Sequence, residues 1–357
     1  MSSCRSVKND PPVIVEALEL TNFRNFMSRK LVFHNRNIIF TGPNGSGKSN
    51  LLESIGFSSL LRSFRGSSSR EMIRLGCRSF QIKTRIKTRL GHKDLRITDH
   101  LSGKRELFIQ EAPVRKSSDF IREFHTVIFA PEDRMIVAGS SGFRRRFFDI
   151  LISQTEPEYL LRLSRYHRAL AQRNRALKTA PRTAAAFEEE LAEQAPFIAA
   201  ARCSYAALVT AECAALLGDR GEFSIMHRTD SGTSAAEHRK LFDLKRESEI
   251  RRQCTLSGAQ LDEFDMFFNG KLLRTYGSTG QIRLISMMLK LAQFKLISRH
   301  SNIPVAVLAD DVTGELDENN LQLFLNTIAD AGQAFFTFTE PPHFTLPDQE
   351  FISVPET

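Results

Sequence analysis

The segment that most constrains this chain is NIIFTGPNGSGKSNLLESIGF. An apolar strand, Ile38-Ile39-Phe40, runs into Gly42-Pro43-Asn44-Gly45-Ser46-Gly47-Lys48-Ser49, a complete G-x-x-x-x-G-K-[ST], and an amphipathic helix through Leu51, Leu52 and Ile55 is expected to follow. That is the order a phosphate loop requires. Glycines let the backbone curl with its N–H groups pointing inward, the helix N-terminus adds a positive dipole end, Lys48 reaches the β and γ phosphate oxygens, and Ser49 offers a hydroxyl to Mg²⁺. The pattern predicts an α/β fold with ATP and Mg²⁺ as its cofactors.

A phosphate loop of this kind needs a carboxylate from a second strand. NIPVAVLADDVTGELDENN supplies one: Val305 to Ala309 form a continuous apolar run, as a parallel strand buried on both faces should, ending in Asp310-Asp311. Strand C-termini are where such sheets hold ligands. Asp310 is expected to hold the metal together with Ser49, and Asp311 to act as the catalytic base that orients water.

Two later segments compete for a third role. CTLSGAQLDEF, from Cys254, differs by one letter from the LSGGQ signature with which ABC-type ATPases grip a partner's nucleotide. Such a motif must open a helix so that its N–H groups face the phosphate. After LSGAQ, however, Phe264, Met266 and Phe268 alternate and Asn269-Gly270 marks a tight hairpin, so LSGAQ reads as part of a strand. YGSTGQIRLISMMLKLAQFKLI fits better. There Ser278-Thr279-Gly280-Gln281 precedes a helix with apolar Ile282, Ile285, Met288, Leu289, Ala292 and Leu296 and a polar stripe of Arg283, Ser286, Lys290 and Gln293. Ser278, Gly280 and Gln281 are therefore the signature residues expected to complete catalysis.

Charge points to the partner. Thirteen Lys and Arg stand against three acidic residues between Arg62 and Arg105, in a chain whose whole formal charge is +8. Within that window QIKTRIKTRL alternates, placing Lys83, Arg85, Lys87 and Arg89 on one strand face and Ile82, Thr84, Ile86, Thr88 and Leu90 on the other. Four like charges on one face repel unless a polyanion neutralises them, so this sheet face is expected to be almost wholly cationic and to bind nucleic acid.

The middle of the chain reads as a short helical lobe. EPEYLLRLSRYHRALAQRNRALK has helical spacing and six basic residues from Arg162 to Lys178; a stop at Pro181 and a cap at Thr183 precede a second helix bearing Glu188, Glu189, Glu190 and Glu193. The short loop implies an antiparallel pair whose basic and acidic faces meet. Arg144-Arg145-Arg146 reads either as a motif or as a solvated helix start.

At 357 residues and 41% apolar composition the chain can bury one large core with an appended lobe. No run approaches the ~18 consecutive apolar residues of a membrane span, and the N-terminus has no apolar leader, so a cytoplasmic protein with no membrane association is expected. The five scattered cysteines form no CxxC and suggest reduced thiols.

Five ordered segments resemble the RecF proteins of bacterial recombinational repair: LTNFRNF, GPNGSGKSNLLESI, VIFAPEDRMIVAGSSGFRRRFFD, YGSTGQIRLISMMLKLA and LADDVTGELD. The resemblance implies an ABC-type P-loop ATPase head with an inserted short helical lobe. On that reading residues 1–140 and 254–357 make the head and 141–253 the lobe. It also implies an ATP-dependent homodimer on single-stranded, gapped or junction DNA, weak DNA-stimulated hydrolysis, and work with RecO and RecR in directing RecA. This chain departs from the family at Gly258-Ala259-Gln260-Leu261-Asp262-Glu263, where a GPHRDD-like segment is usual, at Gly314 in place of the D-loop serine, and at Pro131-Glu132-Asp133, where a Q-loop glutamine is not evident. The rival classes are a transporter nucleotide-binding subunit, which would lack the basic strand, and a non-hydrolysing ATP-gated scaffold.

Overall fold

In the computed structural model, residues 15–88, 91–301, 303–311 and 316–355 are described. Packing gathers the chain into two compact units, Met1–Pro131 with Ser301–Thr357, and Glu132–His300.

The first unit holds two sheets, with strands numbered along the chain. One is antiparallel, in the order β2 (Phe26–Val32), β1 (Val15–Phe23), β4 (Ser79–Thr88), β5 (Gly91–His100), β6 (Arg105–Ile109), β7 (Ala112–Pro113). The other is wholly parallel, in the order β14 (Gln349–Ser353), β3 (Asn37–Thr41), β13 (Gln333–Phe338), β12 (Val305–Asp310), β8 (His125–Phe129). The helix Lys48–Leu60 packs on β8, β12 and β13 of the parallel sheet and on β4 of the other. It was expected to be amphipathic, yet every residue from Leu51 to Ser59 is buried, because sheets cover both of its sides. Its small hydroxyls make that possible: Ser54 bonds back to its own helix, and Ser58 shares a 2.8 Å hydrogen bond with Thr84 of β4. Phe80 meets Phe23 and Phe57 edge to face, at 5.2 and 5.6 Å between ring centres.

The alternation along β4 is present: Ile82, Thr84 and Ile86 are buried, and Lys83, Arg85 and Lys87 exposed. Arg89 lies outside the described residues. The expectation of an almost wholly cationic sheet face is corrected, because neighbouring strands supply carboxylates. Glu19 stands opposite Lys83 and pairs with Lys30 at 2.6 Å. Arg85 forks onto Asp94 at 2.7 and 3.1 Å, holding that carboxyl below its usual range, and Arg96 pairs with Glu111. A single strand shows its own charges but not those its register brings alongside.

The second unit contains a three-stranded antiparallel sheet in the order β11 (Lys271–Leu272), β10 (Glu263–Phe268), β9 (Phe223–Arg228). The hairpin predicted at Asn269-Gly270 is there, both residues at positive φ of 50° and 74°. Helices Pro157–Thr179 and Glu188–Leu217 pack together, and basic does meet acidic: Arg165 pairs with Glu190 at 2.7 Å and Arg173 with Glu188 at 2.8 Å. Thr183 caps nothing; Pro181–Phe187 forms a 3₁₀ turn and the second helix starts at Glu188. That alanine-rich helix, with the preceding turn, is long and apolar enough to cross a membrane by length and composition. It nevertheless packs on four neighbouring α-helices and buries the cation of Arg202.

Arg144 and Arg145 do not form a solvated helix start. Arg144 is buried, donating to Glu263 and to the Gly139 carbonyl at 2.8 Å each, and Arg145 donates to the Asp262 carbonyl. The helix Thr279–His300 packs on Glu188–Leu217, so compactness places the hairpin and this helix with the lobe, where the sequence division at 253 had separated them. Apolar faces find partners by fit, irrespective of chain order.

Candidate nucleotide-binding site

Between β3 and the helix Lys48–Leu60, the loop turns through Gly42, Gly45 and Gly47 at φ of 153°, 83° and 101°. Space as well as conformation demands glycine. A Cβ on Gly42 would lie 2.2 Å from the Val354 carbonyl oxygen, and one on Gly47 would lie 2.6 Å from Asn25 Nδ2 and 2.8 Å from Phe26 Cζ. The turn between β1 and β2 thus backs the loop, and Asn25 also accepts a 2.8 Å bond from Asn50.

Inside the loop, Lys48 Nζ donates to the carbonyls of Gly42 and Pro43 at 2.7 and 2.8 Å. Burial lowers its pKa, and the nearby Asp311 and Asp310 oppose that shift. Ser49 Oγ donates to Asp310 Oδ1 at 2.7 Å, and Thr337 Oγ1, from the strand between β3 and β12, donates to the same oxygen at 2.9 Å. Asp311, at φ 53°, is exposed and uses its N–H to bond Thr337 Oγ1 at 3.0 Å. A cavity of about 250 Å³ opens here, lined by Asn44, Lys48, Ser49, Arg65, Asp311 and Thr337 among others.

The chain therefore brings Asn44, Gly45, Gly47, Lys48, Ser49 and Asp311 to one cavity, with Asp310 buried against Ser49. Positive-φ glycines shaping a concave backbone, an ammonium and a hydroxyl–carboxylate pair together fit a triphosphate with its Mg²⁺. Sequence reasoning missed Asn25, Asn50, Arg65 and Thr337. Thr337 had a signal, being a polar residue in the apolar strand AFFTFTE; Asn50 stands in the first turn of the helix Lys48–Leu60, and Asn25 and Arg65 come from loops whose paths no local pattern reveals.

In the second unit, Ser278 caps the helix Thr279–His300. Its Oγ accepts from the Gln281 N–H at 3.2 Å, while Gln281 Oε1 accepts from the Ser278 N–H at 3.0 Å. This reciprocal capping box leaves Ser278, Thr279 and Gly280 exposed at the helix tip. The polar stripe behind it is corrected: Ser286, Lys290 and Gln293 are buried, and Lys290 Nζ donates to Gln293 Oε1 at 2.7 Å. LSGAQ is also corrected. It lies on no strand but in a buried turn, with Ser257 fully enclosed and Ala259–Leu261 in a 3₁₀ turn ahead of β10. Gly258, at φ 115°, lies where a Cβ would meet Tyr166 Oη at 2.5 Å. Beside it, Asp262 is fully buried and held by Arg202 at 2.7 Å and His227 at 3.2 Å, a cation and an imidazole brought from other elements.

A phosphate loop and a strand-end aspartate meeting on a parallel sheet, beside an antiparallel sheet, with a capped signature helix in a second unit, are the parts of an ABC-type ATPase head. Residues 14–351 match the RecF/RecN/SMC N terminal domain family. DNA replication and repair protein RecF of Ruminiclostridium cellulolyticum is 33% identical over 93% of this chain and 94% of its own length, and that of Bacillus subtilis is 32% identical over 91% and 93%. Among solved structures, that of the recombination mediator protein RecF-ATP in the RecFOR pathway superposes with a TM-score of 0.88 at 24% identity, covering 96% of each chain. An Smc head bound to the C-winged helix domain of ScpA gives 0.51 at 14% identity, over 92% of this chain and 90% of that one. The chain belongs to the RecF family.

Proposed function

We propose that this chain is an ATP-binding protein of DNA replication and repair, and that ATP gates its dimerisation on DNA. The observation that carries the reading is the 2.7 Å bond between Ser49 and Asp310, which draws the phosphate-loop hydroxyl and the strand-end carboxylate to one point beside Lys48. Lys48 would pair with the β and γ phosphates, and Ser49 and Asp310 would hold Mg²⁺, Asp310 through water. When bound, the ion neutralises phosphate charge. Asp311, exposed at the cavity, would position water as general base, and slow hydrolysis working as a switch is what the family resemblance implies.

One subunit alone leaves the triphosphate open on one side. The exposed Ser278 and Gly280 and the half-buried Gln281, at a helix N-terminus with its positive dipole end, would close the partner's nucleotide, making the homodimer the ATP-bound state. Lys83 and Lys87, exposed on β4, would contribute to the DNA surface, with Arg85 shared between Asp94 and the phosphates. RecO and RecR would be partners in directing RecA to single-stranded, gapped or junction DNA, as in the pathway named for the solved relative, and a cytoplasmic location follows from that role.

The test is size measurement combined with binding to duplex, single-stranded and gapped DNA, with and without ATP and Mg²⁺. A dimer and tighter DNA binding are expected only with ATP. A monomer in both conditions, or DNA binding indifferent to ATP, would overturn the reading.

A further inference from the structure

Glu53 is a fully buried carboxylate one turn beyond Ser49 on the phosphate-loop helix, and the nucleotide reading gives it no role. Its surroundings are ordered in detail. Arg24, from the turn between β1 and β2, forks onto it with Nε and Nη2 at 2.8 Å each. Ser63 Oγ donates to Glu53 Oε1 at 2.5 Å. That same Oγ accepts from the backbone N–H of Arg65 at 3.1 Å and of Ser67 at 3.2 Å, and Arg24 Nη2 also reaches Ser67 Oγ at 2.8 Å.

The result is a loop folded around one buried anion. It leaves the helix at Leu61, at φ 52°, and turns back at Gly66, at φ 81°. A second arginine holds its ends: Arg105 of β6 donates to the Leu61 carbonyl and to Ser69 Oγ at 2.9 Å each, while itself paired with Asp99. The loop's free product is the exposed side chain of Arg65, which lines the phosphate cavity and donates to Asn50 Oδ1 at 3.2 Å. An exposed arginine loses rotamer entropy when it is ordered, so aiming one into a cavity requires a fixed backbone beneath it.

We infer that Glu53 is a positioning residue for the nucleotide site: with Ser63 and Arg24 it fixes the 61–69 loop so that Arg65 faces the bound triphosphate. This inference rests on the nucleotide reading above. A buried ion pair serving stability alone would explain Arg24 and Glu53. It would not explain why Ser63 passes the carboxylate's grip on to the backbone N–H of the one loop residue that lines the cavity.

The experiment is a double-mutant cycle read by fluorescent ATP and ADP analogues, with thermal unfolding to confirm folding. Arg65→Ala and Glu53→Gln are each expected to weaken ATP binding about tenfold and ADP binding less. The double variant should bind no worse than the weaker single, because both changes remove the same contact. Ser63→Ala, which leaves the buried pair intact, should reproduce the loss and be equally non-additive with Arg65→Ala; it carries the test if Glu53→Gln does not fold. Wild-type affinity in folded Glu53→Gln and Ser63→Ala, or losses that multiply with Arg65→Ala, would overturn the inference. Lys48→Ala separates the two readings: if it binds ATP as tightly as wild type, the nucleotide reading itself has failed; if it does not, the cycle judges Glu53 alone.

Discussion

Ser49 and Asp310 lie 261 residues apart in sequence and 2.7 Å apart in space, with Thr337 bonded to the same carboxylate oxygen from the strand between theirs. Replacing Asp310 with Asn keeps the shape but removes the charge that would hold the metal shell. The expected result is a loss of about 10- to 100-fold in Mg²⁺-dependent ATP affinity, with Mg²⁺-free binding little altered. Titration with a fluorescent analogue, with and without Mg²⁺, measures it.

Ser278 sits at an exposed helix tip, whereas Ser257 is enclosed. Ser278→Arg should leave a folded monomer that binds ATP but no longer dimerises, which light scattering would show. Ser278→Ala should cost about 1 kcal/mol through the lost cap. Arginine at Ser257 has no room and should lower the unfolding temperature sharply. A stable Ser257→Arg protein that fails only to dimerise would reverse the assignment of the two motifs.

Lys83 and Lys87 are exposed on β4, whereas Arg85 is paired with Asp94. Replacing both with Ala should weaken DNA binding evenly across sequences and reduce the log–log salt slope by up to about two. Arg85→Ala should change the slope less, since its charge is already half answered by Asp94. An unchanged slope in the lysine pair would make this face solvent-exposed only.

His238 is buried, with Nδ1 against the Ser231 carbonyl at 2.9 Å and Phe242 edge-on at 4.8 Å. Burial pushes its pKa below 6.5; the Ser231 carbonyl and Asp230 oppose this, while Arg173 and Lys245 add to it. The unfolded chain therefore takes up this proton first as pH falls. Stability is full above pH 6.5 and declines below it, until the folded imidazole also protonates. Unfolding measured from pH 7.5 to 5 should show this decline, and His238→Gln should flatten it.

Arg202 holds Asp149 and Asp262 in the interior at 2.8 and 2.7 Å. Arg202→Met leaves the buried Asp262 and the half-buried Asp149 without the cation they share and should cost about 3–5 kcal/mol, read by denaturant unfolding. A loss under 1 kcal/mol would mean that water reaches the network.

The sequence by itself determined the nucleotide site's parts. The phosphate loop and the apolar strand ending in Asp310-Asp311 are local, as are, outside that site, the hairpin at Asn269-Gly270 and the helix-opening STGQ, because each depends on φ, on period or on a cap set within a few residues. Tertiary structure alone decided what those parts meet. Opposite charges reached β4 through the register of β1 and β5, Glu53 drew Arg24 and Ser63 around itself from both sides in sequence, Thr337 joined Asp310, Lys290 went inside although helical spacing put it in a polar stripe, and burial decided between the two readings left open for Arg144. A charged side chain's fate depends on the partners that packing brings within 3 or 4 Å, and that distance carries no trace in the neighbouring letters of the chain.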